Sequence, residues 1–217
     1  PDGGVRKLGI PTVVDRVIQQ GIAQKLQNIW EPLFSDSSYG YRPRRSGQQA
    51  IQKVKEYAEE GYRYAVSVDL SKYFDTLNHE LLMNLLHRKI QDMRVLRIIK
   101  KYLKSGVMEN GVVSKTEEGS PQGGPLSPLL ANIYLNEFDW EMCGRGVKMV
   151  RYADDIVVFA KSKRAAERLM ESSRRYLEGK LKLKMNTEKS KVTSIFAVKE
   201  FKFLGFCIGR NGSGIYI

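Results

Sequence analysis

Asp154 and Asp155 stand side by side between two apolar runs, Val147-Lys148-Met149-Val150 and Ile156-Val157-Val158-Phe159-Ala160. Runs of this length and composition read as strands, so the two carboxylates fall at or near the tight turn of a hairpin. Like charges held together repel unless something positive neutralises them. A hard divalent cation such as Mg²⁺ is the natural partner, because it prefers carboxylate oxygens. An isolated Asp-Asp is more often a plain polar turn, where Asp bonds its own backbone. The rest of the chain decides between the two.

A third acid comes from a separate strand. Arg63-Tyr64-Ala65-Val66-Ser67-Val68-Asp69 alternates, with Tyr64, Val66 and Val68 on one face. Ala65, Ser67 and Asp69 share the other, where small side chains leave room for a substrate. If this strand neighbours the Asp154 hairpin in one sheet, three carboxylates converge. Two Mg²⁺ ions roughly 3.5–4 Å apart then fit between them, the arrangement that serves in-line displacement at phosphorus. Such chemistry asks the protein mainly for positioning and charge neutralisation.

The formal net charge of +12 predicts attraction to a polyanion, with nucleic acid foremost. The two cysteines, Cys143 and Cys207, have no metal-ligand spacing and are too few for a disulfide framework. The two histidines, His79 and His87, lack the spacing of a zinc helix. No apolar run reaches membrane-spanning length, and no charged-then-apolar leader opens the chain. The expectation is a protein of a reducing cell interior, cytoplasmic, associated with nucleic acid and not with membrane. The chain opens on Pro1 and reads as a piece of a longer protein.

Between these landmarks, Thr12 caps a helix running to about Trp30, with Val13, Val17, Ile22, Leu26 and Ile29 at helical spacing. Phe34 to Arg45 is a loop interleaving aromatic and cationic residues, suited to phosphate contact and stacking. Ser46 and Gln49 have capping-box spacing, and the helix they open turns Ala50, Ile51, Val54, Tyr57 and Ala58 inward. Asn78 caps a helix bearing Leu81, Leu82, Leu85 and Leu86. Another follows from about Asp92 to Lys104. Val107 to Glu117 reads as a hairpin turning at Asn110-Gly111. A loop rich in Gly and Pro, 118–128, then leads to a helix capped by Ser127, with Pro128 first and Leu129, Ile133, Tyr134 and Phe138 inward. Ser162 opens a helix to about Glu178. Leu181-Lys182-Leu183-Lys184-Met185 and Lys191-Val192-Thr193-Ser194-Ile195 are both strand-like.

The order of these segments resembles a reverse transcriptase, and most closely the polymerase part of a group II intron-encoded maturase. Val68 to Asp75 is similar to the family's first catalytic motif, and Ser120-Pro121-Gln122-Gly123-Gly124-Pro125-Leu126-Ser127-Pro128 to its substrate loop. Tyr152-Ala153-Asp154-Asp155 is similar to its signature box, and Phe203-Leu204-Gly205-Phe206 to its primer-grip hairpin. Arg6-Lys7-Leu8-Gly9-Ile10-Pro11 with Asp15-Arg16 resembles a motif of the fingers.

The resemblance implies an α+β right-hand palm, its antiparallel sheet backed by helices, with fingers and without a thumb in these residues. Residues 1–62 would form the first part of the fingers, 63–80 palm, 81–118 a fingers/palm connection with the hairpin, and 119–217 palm ending in the primer grip. It implies RNA-directed DNA polymerase activity. Asp69 and Asp154 would be the principal metal ligands, with Asp155 beside them and the Leu70 carbonyl as an extra ligand; Mn²⁺ could replace Mg²⁺. Phe74 would lie under the incoming sugar and exclude a 2′-hydroxyl, while Gln122 contacts the nucleotide. Arg6, Lys7 and Arg16 would hold the triphosphate, and Lys189 would sit near the pyrophosphate as a proton donor. The implied partners are an RNA template, a DNA primer, dNTP and group II intron RNA, with a homodimer left open. The competing readings are an RNA-binding splicing cofactor with little polymerase activity in these residues, a retron-type enzyme and an RNA-dependent RNA polymerase, against which Phe74 argues. Processive synthesis by this piece alone is expected to be weak.

Overall fold

The computed structural model describes residues 10–105, 107–109, 112–114, 118–120, 123–198, 200–211 and 214–217. In chain order the elements are α1 (Val13–Trp30), α2 (Gly47–Glu59), β1 (Tyr64–Val68), α3 (His79–His87), α4 (Met93–Lys104), β2 (Val107–Glu109), β3 (Val112–Ser114), α5 (Ser127–Gly144), β4 (Met149–Tyr152), β5 (Asp155–Ala160), α6 (Lys163–Gly179), β6 (Lys191–Ser194), β7 (Gly209–Asn211) and β8 (Gly214–Tyr216). The chain divides into two compact units, one of residues 1–33 and 72–134, the other of residues 34–71 and 135–217.

The second unit holds a four-stranded antiparallel sheet ordered β4-β5-β1-β6. Its strands alternate as their sequences predict, but both faces are covered. Ala65, Val150, Val157 and Phe159 face a core shared with Ile51, Val54 and Tyr57 of α2, while Val66, Met149, Ile156 and Val158 are buried too. The expectation that Ala65 and Ser67 face open space for a substrate therefore holds only toward the Asp69 end, where Ser67 lines a cleft and Ala65 is fully buried. The capping box of Ser46 and Gln49 is formed at the start of α2, and all five of its expected inward residues are buried. Such a box satisfies two otherwise orphaned backbone donors.

One expectation for this unit, a strand over Leu181–Met185, is corrected. Leu181, Leu183 and Met185 do alternate inward, yet no strand ladder forms there. Lys182 is left-handed (φ 56°), and the amides of Leu181 and Leu183 bond back to the Tyr176 and Leu177 carbonyls as the chain wraps the end of α6. Only Met185 makes a bridge, to Leu70. In the segment expected as the primer-grip hairpin, Phe203 and Phe206 exchange both backbone hydrogen bonds. Leu204 and Gly205 take positive φ between them (51° and 85°), the geometry of a tight hairpin turn that favours glycine.

The first unit contains α1, α3, α4, the β2–β3 pair and the start of α5. Thr12 caps α1 by accepting from the Asp15 amide. The buried face of α1 differs from the apolar spacing: Gln19, Ala23, Leu26 and Trp30 are inside, while Val13, Val17 and Ile29 are exposed. Gln19 packs so closely on Gly124 that a Cβ there would strike its side-chain oxygen. Asn78 caps α3 as expected, and α4 begins one residue after Asp92, which stands outside it as its cap. The β2–β3 hairpin forms, and its Asn110-Gly111 turn lies outside the described residues.

Candidate active site

Asp69 follows β1 directly, and Asp155 is the first residue of β5. The β1–β5 register runs from Tyr64 opposite Ala160 to Val68 opposite Ile156. Carried one step further, it sets Asp69 across from Asp155. Side chains opposite one another in an antiparallel pair share a face, with Cβ atoms about 5 Å apart. Tyr152 pairs with Asp155, which leaves Ala153 and Asp154 as the two-residue turn between β4 and β5. Asp69 and the adjacent pair Asp154 and Asp155, far from it in sequence, are thus gathered at one end of one sheet.

Their electrostatics agree with that placement. The pKa of Asp69 is raised, first by burial and then by Asp154, while Lys189 and a hydrogen bond from Asn186 pull it down. Asp155 lies at the solvent rim, yet its pKa is also raised, first by desolvation and then by Asp154 and Asp69. The backbone of Asp69 is clasped on both sides. Its amide donates to the Ser190 hydroxyl at 3.0 Å, and its carbonyl accepts from the Asn186 amide at 2.9 Å. A cleft of about 370 Å³ opens beside the acids, lined by Asp69, Asp155, Lys189, Lys191, Lys202 and Phe203 among others.

The turn itself is held by a buried framework. Ala153 adopts φ 57°, a left-handed conformation uncommon for a residue with a Cβ, and one that persists when its surroundings over-determine it. Arg151, fully buried, donates to the Ala153 carbonyl at 2.9 Å, to Ser38 Oγ at 2.8 Å and to both oxygens of Asp139. Residues 37–39 run beside β4, exchanging backbone bonds with Arg151. Gly40 presses on the turn so closely that a Cβ would fall on the Ala153 amide nitrogen. The loop then turns Tyr41 (φ 55°) outward, half exposed. Its phenol is held above its usual pKa by burial and then by Asp154, Tyr152 and Asp155.

The predicted site residues thus fall into three groups. Asp69, Leu70, Asp154, Asp155 and Lys189 come together in the second unit. Arg16 and Phe74 belong to the first unit. Arg16 is exposed near the start of α1. Phe74 is half-buried, with its ring edge-on to Tyr73 at 5.3 Å and its carbonyl accepting from the Ser120 amide. Arg6, Lys7 and Gln122 lie outside the described residues. Sequence reasoning gave no role to Arg151, Asp139, Ser38, Asn186 or Ser190. The only signal for the buried pair was an Arg within an apolar strand and an Asp within an apolar helix.

The donor set suits a hard cation: three carboxylates at one strand end, close enough that Asp154 helps raise the pKa of both Asp69 and Asp155, with a main-chain carbonyl next in sequence. Among the described residues no three acid, His or Cys side chains already stand in closed metal-binding geometry, so the acids are an open cluster and not a finished cage.

An antiparallel sheet with helices on it and acids at a shared strand end defines a palm, the catalytic part of a nucleic-acid polymerase. The family model described as reverse transcriptase (RNA-dependent DNA polymerase) matches residues 1–208, and the chain belongs to that family. It is 36% identical to "Protein YkfC" of Escherichia coli K12 over 98% of this chain and 65% of that protein. It is 31% identical to "Group II intron-encoded protein LtrA" of Lactococcus lactis subsp. cremoris over 97% of this chain and 45% of that protein. The chain therefore spans less than two thirds of the length of these relatives. Among solved structures, telomerase from Candida tropicalis with a fragment of telomeric RNA matches 91% of this chain and 36% of its own, with a TM-score of 0.65 at 15% identity, a likeness of fold alone.

Proposed function

We propose that the chain is the catalytic part of an RNA-directed DNA polymerase that moves a nucleotidyl group from dNTP to a primer 3′-hydroxyl on an RNA template. The observation that carries this is the strand register that brings Asp69, Asp154 and Asp155 to one end of one sheet. Asp69 and Asp154 would hold two Mg²⁺ ions, with Asp155 and the Leu70 carbonyl beside them. Bound there, such ions lower the pKa of an attacking hydroxyl and neutralise a leaving pyrophosphate.

The remaining roles fall to the chain's own side chains. Lys189, already close enough to lower the pKa of Asp69, holds a proton for the leaving pyrophosphate. Arg6, Lys7 and Arg16 bind the triphosphate by charge, and Gln122 orients the nucleotide. Phe74 blocks a 2′-hydroxyl by bulk. In this reading residues 1–62 and 81–118 contribute fingers, and 63–80 and 119–217 the palm.

The whole protein would work beside group II intron RNA in a bacterial cytoplasm and assist its splicing, a reading supported by the similarity to the intron-encoded LtrA. No helix among the described residues is long and apolar enough to cross a membrane. Primer extension on an RNA template tests the polymerase directly. The wild-type chain extends and Asp154→Ala does not; equal extension by both overturns the proposal.

A further inference from the structure

Helix α4 carries Arg94, Arg97, Lys100, Lys101 and Lys104 and no acidic residue in its twelve positions. At 3.6 residues per turn these five cations fall within one arc of about 120° along a helix roughly 18 Å long. Leu96, Ile99 and Leu103, on the opposite side, are 0–3% exposed. All five cations are exposed. Arg94 pairs with Asp92, the residue that caps the helix. Among the described residues Arg97, Lys100, Lys101 and Lys104 have no acid partner.

In α2 and α6, by contrast, cations are interleaved with acids along the helix. In α2, Lys53 pairs with Glu56 and Lys55 with Glu59. In α6, Arg174 pairs with Glu171 and Glu178, and Arg175 with Glu171. Interspersed signs are the usual way a soluble surface carries charge, and a one-sign field attracts a counter-charge. Burial of Leu96, Ile99 and Leu103 leaves α4 without the apolar face that an interfacial helix sinks into lipid. The only exposed apolar side chains on it, Met93 and Ile98, stand singly, Met93 on the cation face at the start of the helix and Ile98 beside it.

We infer that the outer face of α4 is a docking surface for the phosphate backbone of RNA, used without reading sequence and independent of the three acids. Arginine and lysine contacts of this kind position a strand and carry no base information. Their mark is a salt dependence that scales with the number of phosphates neutralised.

The test uses this chain with Arg97→Gln, Lys101→Gln and Lys104→Gln together, all exposed and outside the acid site. A control of equal charge change carries Lys163→Gln, Arg164→Gln and Arg168→Gln on α6. Binding to a short unstructured RNA is followed across a salt series, with phosphatidylserine vesicles as a second probe. The α4 variant is expected to lose at least about tenfold in RNA affinity and about two units of salt slope, from roughly 0.7 per phosphate contact, while the control changes less than about twofold. Unchanged RNA binding, an equal loss in the control, or loss of vesicle binding alone overturns the inference. Asp154→Ala leaves this RNA binding intact, so primer extension reports separately on the polymerase reading.

Discussion

Arg151 and Asp139 form an ion pair at 2.6 Å with both side chains completely buried. The pair links the middle of α5 to the strand that ends in the acid turn, and the same guanidinium reaches the carbonyl of Ala153. A buried charge left without its partner is costly, about 3–5 kcal/mol. Arg151→Met is therefore expected to lower unfolding free energy by about that amount, measured by urea denaturation. Arg151→Lys should recover only part of it, because a single ammonium cannot serve Asp139, Ser38 and the turn in the guanidinium's fork geometry.

Gly40 offers a second handle on the turn. A methyl group at this position would collide with the Ala153 amide and the Tyr152 carbonyl carbon, which are backbone and cannot swing aside. Overpacking of this kind costs about 1–3 kcal/mol. Gly40→Ala should lower Tm accordingly and depress primer extension more than Gly21→Ala, which meets nothing within 4 Å.

The crowded acids predict a pH dependence in metal-free buffer. Asp69 and Asp155 both have raised pKa values in the fold. Between the unfolded and folded values the folded state binds more protons, so the stabilisation is present at low pH and lost as pH rises through the folded pKa. Asp155→Asn should consequently stabilise the chain at pH 7, and the gain should shrink as pH falls toward about 4. Thermal unfolding in EDTA across that range checks it; a gain that grows toward acid would contradict the direction.

Much of this was legible in the sequence where local chemistry and fold agree. The caps at Thr12, Ser46, Asn78 and Ser162 are formed, because each satisfies backbone donors within a few residues. The Asp-Asp hairpin follows from two apolar runs around a short polar break. What stayed hidden depends on partners far along the chain. Exposure of Val13 and Val17 and burial of Gln19 are set by what packs on α1. The Leu181–Met185 alternation is real in burial, but strand pairing needed hydrogen-bond partners that α6 supplies instead. Arg151 could be read as a strand residue, and its Asp139 partner was unreachable by periodicity.

Phe74 gives a specificity test. Its ring is half-buried and braced by Tyr73, whose hydroxyl donates to the Ala131 carbonyl at 2.6 Å. Phe74→Ala should raise ribonucleotide incorporation relative to deoxyribonucleotide by about tenfold or more, the order expected when a steric block worth at least about 1.4 kcal/mol is removed. Single-nucleotide extension with matched NTP and dNTP pairs measures the ratio, and an unchanged ratio would remove Phe74 from the gate.

The most direct measurement is divalent-ion binding to the acid cluster. Mn²⁺ titration followed by electron paramagnetic resonance should show binding by the wild-type chain, weakened at least about tenfold, or about 1.4 kcal/mol, by Asp69→Asn and by Asp154→Asn alike. Equal Mn²⁺ binding by the wild type and both variants would contradict the account.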